Sequence, residues 1–176
     1  SAATPNGVGT ASSTVTAVTT PGAPTAVTAT ATGTTTASVA FTAPVSNGGS
    51  AITGYTITSS PGGFTCTAAA NATSCAVSGL TDGVAYTFTA VARNSVGSSV
   101  SSSPSGSITP IGKPSTPTNV VASAGNASAT VSFTAPNNRG SAITRYDVEA
   151  YDQNGVPISP ALTCTLNVPF PTPLAC

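Results

Sequence analysis

At 176 residues with four basic and four acidic side chains, zero formal net charge and no His, Met or Trp, the chain has almost no catalytic vocabulary. General acid–base work wants a group that titrates near neutrality, usually His, and a serine nucleophile wants the base that is missing here. The same balance leaves no basic footprint for nucleic acid, and no apolar run approaches the roughly 18 residues of a membrane span.

From the N-terminus onward the chain repeats itself with a period near ninety residues. Ala2 to Gly9 matches Ala90 to Gly97. Val39 to Pro44, Ser50 to Thr53 and Tyr55 return as Val131 to Pro136, Ser141 to Thr144 and Tyr146. The offset drifts from 93 at Pro21/Pro114 to 92 at Phe41/Phe133 and 91 at Tyr55/Tyr146, so the length changes fall in turns while the intervening segments keep register. Residues 1–20 therefore read as the tail of one repeat, 21–111 as a complete one and 112–176 as the front of a third. The third stops at Cys176, the counterpart of Cys75.

Within the complete repeat, alternation of Tyr55, Ile57 and Ser59 with Thr56 and Thr58 predicts a half-buried strand, and Tyr146, Val148 and Ala150 alternate in the same way. Clusters of Gly, Pro, Asn and Asp at Pro21–Gly22, 47–49, 61–63, Asp82–Gly83 and Asn154–Gly155 mark turns between short strands. Short strands at this spacing make a sandwich of two sheets.

These segments resemble a fibronectin type III domain of the bacterial extracellular kind. Pro24 to Val27 stands at strand A, Ser38 to Pro44 at B, Ile52 to Tyr55 at C, Gly79 to Tyr86 at the E–F corner and Phe88 to Asn94 at F, followed by Gly97 and a Ser-rich strand G. The resemblance implies an all-β fold of tandem Greek-key, immunoglobulin-like sandwiches, one complete and two partial. Where the family commonly has Trp on strand B, this chain has Phe41 and Phe133, smaller plugs with no N–H to satisfy. Phe41, Tyr55, Leu80, Tyr86, Phe88, Phe133 and Tyr146 are expected in the core, with Tyr86 returning its hydroxyl to the corner backbone.

The four cysteines fall as two local pairs at matching positions. Three connectivities are open, and repeat symmetry favours Cys66–Cys75 and Cys164–Cys176 disulfides. Such bonds argue for an oxidising, extracellular setting, and the spacings lack the close steps of a zinc site. Asn71 and Asn126 head glycosylation sequons, and the Thr34–Thr36 and Ser98–Ser103 runs are candidates for O-linked sugar. Arg139-Gly-Ser141 in the B–C loop lacks the acidic residue of an adhesive motif. Asp147 and Glu149 share a strand face without further ligands. No catalytic, cofactor or metal residue is expected.

Low charge leaves little to keep copies apart, so self-association, glycosylation or both are expected. Pro-containing joins at Thr19 to Pro24 and Thr109 to Pro117 make a semi-rigid string. The expected role is a structural repeat of an extracellular filament, sheath or stalk; the alternatives are spacer repeats of a secreted polysaccharide-degrading enzyme, or an adhesin arm that binds a host or a glycan through its loops. Strand donation from residues 1–20 to the incomplete third repeat would leave the counterparts of 76–88 unsupplied, which favours a piece of a longer repetitive protein.

Overall fold

A computed structural model describes residues 17–158 and 163–167. All regular structure in them is β, in ten strands: β1 Thr25–Ala31, β2 Thr36–Thr42, β3 Gly54–Ser60, β4 Thr65–Ala69, β5 Ser74–Ser78, β6 Thr87–Arg93, β7 Thr118–Gly125, β8 Ser128–Thr134, β9 Arg145–Glu149 and β10 Thr163–Asn167. The first six form two antiparallel sheets of order β1-β2-β5 and β4-β3-β6, the two layers of a sandwich. The last four form two ladders, β7-β8 and β9-β10.

The core of the sandwich follows from alternation. Ala37, Val39 and Phe41 on β2, Tyr55 and Ile57 on β3, Val77 on β5 and Phe88, Ala90 and Ala92 on β6 all point inward and are buried, as are Leu80 and Tyr86 at the corner. Small residues at Ala90 and Ala92 leave room for the Phe41 and Tyr55 rings, whose centroids lie 4.7 Å apart. The Tyr86 hydroxyl accepts the Thr81 N–H at 3.0 Å, closing the corner, and the Phe64 ring meets Tyr86 edge-on at 6.1 Å. Cys66 on β4 and Cys75 on β5 are joined by a disulfide, which ties the border strand of one sheet to that of the other. Closing so short a loop is worth about 2–3 kcal/mol on chain-entropy grounds.

The same local rules act twice. The β1–β2 register slips between Thr25 and Thr28, with Ala26 in the left-handed region at φ 49°. The β7–β8 register slips between Thr118 and Val121, with Asn119 at φ 52°. Each bulge follows a proline, Pro24 or Pro117, and turns the strand at its entry. Phe133 and Tyr146 repeat the aromatic pair at 4.8 Å. Tyr146 is buried, but Phe133 is only half-buried, a departure from the expected core. Strands equivalent to β5 and β6 do not occur among the described residues.

The Ser-rich stretch after β6 departs from a regular strand G. It meets β6 through Ser99, Ser102 and Ser105, which pair with Ala92, Ala90 and Phe88, and then through Ile108 with Tyr86. It thus advances three residues for every two of β6. Each serine donates its backbone N–H to the partner's carbonyl at 2.8–2.9 Å and accepts the partner's N–H on its own Oγ at 2.9–3.1 Å. Each Oγ then donates to the next carbonyl along its own segment at 2.8 Å. A hydroxyl takes the place of the ladder carbonyl, and a three-residue step is that of a polyproline-like chain rather than a pleated one.

Candidate functional site

Every Asp, Glu, Lys and Arg of the sequence lies among the described residues. Asp147 is paired with Arg145 at 2.9 Å and receives the Thr165 hydroxyl, while Glu149 accepts the Tyr151 hydroxyl at 2.9 Å. That carboxylate, by hydrogen bond and charge, raises the Tyr151 pKa. Asp152 caps its own turn, taking the N–H groups of Val156 and Asn154 at 2.8 Å each, which lowers its pKa. Asp82 pairs with Arg139 at 3.1 Å. Among the described residues no cluster of His, Cys, Asp or Glu could hold a metal ion, and no helix is long and apolar enough to cross a membrane.

Of the residues singled out in the sequence, Cys66 and Cys75 are bonded, and Cys164 is not free, whereas Cys176 lies outside the described residues. Asn71 occupies the turn between β4 and β5, and Asn126 the turn of the β7–β8 hairpin; both are exposed. Ser102 and Ser105 are buried and spent on the β6 ladder, so the Ser98–Ser103 run divides by position. Ser98, Ser101 and Ser103 face solvent; Ser99 and Ser102 do not present free hydroxyls.

The surface that gathers hydrogen bonds from distant segments is the pole of the sandwich where the chain enters. Thr19 donates to the Gly48 carbonyl at 2.8 Å and Gly22 to that of Ser46 at 2.9 Å, stitching the entering chain to the β2–β3 loop. Gly48 sits at φ 72°, and a Cβ there would overlap the Thr19 carbonyl, so only glycine fits. Asn94 lies beneath, 2% exposed, its amide donating to the Thr19 and Asn47 carbonyls and its oxygen accepting the Val96 and Gly97 N–H groups. All four of its hydrogen-bonding capacities are used. Neither Asn94 nor the serine ladder was singled out from the sequence; the three-residue spacing of Ser99, Ser102 and Ser105 was the available signal, hidden among flanking serines.

A second surface is an apolar cleft of about 810 Å³ between the two C-terminal ladders, lined by Val120, Ala122, Val131, Val148, Ala150 and Ile158 among others. Val131 and Val148 align with Val39 and Ile57, which are fully buried in the sandwich.

The two-sheet packing, the corner tyrosine and the aromatic pair define an immunoglobulin-like β-sandwich. Residues 22–108 match the fibronectin type III domain family and constitute such a domain. No curated protein matches the chain in sequence. Among solved structures, the FN1–FN3 domains of chicken CNTN1 align at 22% identity and TM-score 0.53, over 82% of this chain and 52% of that one. A segment of titin aligns at 26% identity and TM-score 0.48, over 52% of this chain and 32% of its own. The twitchin kinase region of C. elegans aligns at 24% and 0.47, over 52% and 17%. The chain spans about half or less of each of these, and the likeness to the CNTN1 domains is one of fold.

Proposed function

We propose that this chain is a structural repeat module of an extracellular surface protein of the bacterial kind, built as a tandem string that packs into a filament, sheath or stalk. In this reading residues 21–111 are one complete domain, 1–20 the end of a preceding one and 112–176 the front of the next. One observation carries it: at both ends of the domain the linker is hydrogen-bonded into a β2–β3-type loop, by Thr19 to Gly48 at 2.8 Å and by Gly112 to Arg139 at 2.9 Å. A chain whose joints are tied down transmits direction and tension from domain to domain, which is what a stalk or filament wall requires.

Fibronectin type III domains are generally non-catalytic modules, and a disulfide in one is compatible with an extracellular setting. Copies of the same protein are the proposed partners, their surfaces low in charge, with sugar on Asn71, Asn126 or the outward serines as the modification that keeps them apart before assembly. The test is twofold. Intact mass of native material, before and after deglycosylation and reduction, is expected to exceed that of this chain and to fall on sugar removal. Sedimentation velocity with negative-stain microscopy of the unmodified chain is expected to show concentration-dependent lateral assembly. A monodisperse, unmodified monomer at high concentration would overturn the reading.

A further inference from the structure

The loop that receives the linker is built twice, with one difference. In the first copy Gly48 donates to the Ser46 hydroxyl and Gly49 to Asn47 Oδ1; in the second Arg139 donates to Asn137 Oδ1 and Gly140 to Asn138 Oδ1. The linker bonds likewise correspond, Thr19 to Gly48 and Gly112 to Arg139. Arg139 therefore stands where the first loop has glycine, and it keeps the left-handed backbone at φ 48°. A long side chain with a Cβ is disfavoured there. What it gains is the Asp82 carboxylate, 3.1 Å from Nη1, on the corner between β5 and β6 of the preceding domain.

The surroundings of that pair are made of backbone. Gly83, next to Asp82, donates to the Pro110 carbonyl at 2.8 Å, and a Cβ on it would meet the Arg139 backbone at 3.1 Å. A Cβ on Gly112 would overlap the Asp82 carboxylate, and one on Gly140 would press on Ile111 and Pro110 at 3.2 Å. Three glycines from the corner, the linker and the loop let three backbones close on one ion pair. The Asp82 side chain is left 14% exposed, and Pro110 is fully buried.

We propose that Asp82 and Arg139 are a latch that fixes the orientation of one unit on the next, and that the corner-and-linker pole of a domain is a docking surface for a B–C loop bearing Arg at its left-handed position. A loop with glycine at that position, as at Gly48, seats on its linker without a latch. Successive joints of the string then differ in stiffness according to that one residue. An exposed ion pair alone contributes little; this one acts by selecting a single rotation among those the glycine-lined contact permits.

Residual dipolar couplings of the full chain test this, comparing amides of residues 25–93 with those of 118–149. At low salt the two sets are expected to share one alignment tensor. In Asp82→Asn and in Arg139→Gly, which suits the left-handed backbone, that common tensor should be lost, with Gly112 N–H exchange rising by about fivefold at most, the range of a surface pair. The unaltered chain should lose it on going to about 1 M salt, where screening acts within about 3 Å, so the test does not depend on a variant folding. A common tensor that survives both substitutions and high salt, or separate tensors in the unaltered chain, would overturn the latch. The latch deepens the tandem-string reading, yet the two fail separately: a common tensor in a chain that never assembles counts against the filament alone.

Discussion

Phe41 against Tyr55 and Phe133 against Tyr146 are the same contact made in two settings. The centroid distances, 4.7 and 4.8 Å, scarcely differ, and both pairs join the same two strand positions. Around the first pair a second layer closes: Val39, Ile57 and Phe88 have no exposed surface. Around the second, no such layer occurs among the described residues: Val131 and Val148 line an open cleft, and Val120 and Val121 are more than half exposed. Strand pairing and the aromatic contact are thus properties of local sequence, whereas burial belongs to the whole sandwich.

The sharpest way to break this comparison is to remove the same ring from each setting. Phe41→Ala is expected to destabilise the complete domain by about 3–5 kcal/mol, the loss for a fully packed aromatic. Phe133→Ala should cost less, about 1–2 kcal/mol, because part of its ring surface is already in contact with solvent. Residue-resolved hydrogen exchange in denaturant separates the two regions; equal losses would mean that the C-terminal ladders are packed as tightly as the sandwich.

Next in size is the serine ladder, which among the described residues lies only beside β6. Ser102→Ala removes the acceptor of the buried Ala90 N–H and should cost about 1–3 kcal/mol, the penalty of an unsatisfied buried donor. Ser101→Ala, one residue away and exposed, should lie within about 0.5 kcal/mol of the parent. Denaturation midpoints decide it, and indistinguishable variants would refute a role for the hydroxyl.

A gain is expected where the two copies differ at the bulge. Ala26 holds φ 49° with nothing to offset the strain, whereas Asn119 at the matching place donates its amide to Thr134 Oγ1 at 3.1 Å. Ala26→Asn should therefore stabilise the domain by about 0.5–1 kcal/mol, with Thr42 as the new partner. A lower melting temperature would show that the bulge tolerates no side chain beyond Cβ.

The smallest effect concerns the Asp152 turn, whose sandwich counterpart uses Pro61, Gly62 and Gly63 instead. Backbone N–H groups of Val156 and Asn154 hold the ionised carboxylate and lower its pKa. Its stabilisation is therefore present above the ordinary aspartate range and fades as pH falls through the lowered value. The Val156 amide resonance should titrate with a midpoint below that of an unperturbed aspartate; a midpoint at or above it would mean the turn bonds do not persist.

Much of this was legible in the chain. The β class, the turns and the inward rows of Val39, Phe41, Tyr55 and Ile57 follow from period-two patterning, because a pleated strand sends alternate side chains to opposite faces. The pairing of Cys66 with Cys75 followed from repeat symmetry. The serine ladder did not follow, since a three-residue step among many serines looks the same as a polar strand until the β6 donors are seen to need acceptors. The Asp82–Arg139 pair is 57 residues apart in the chain, and no local pattern announces such a meeting.

By itself, then, the sequence determined which residues alternate, where the chain turns and that the same unit recurs, because these depend on neighbours within a few positions. Only the tertiary structure decided which of the repeated apolar positions become core, which serines surrender their hydroxyls to β6, and that Arg139 reaches back to Asp82. Those outcomes depend on what a second layer or a neighbouring unit brings within a few ångströms.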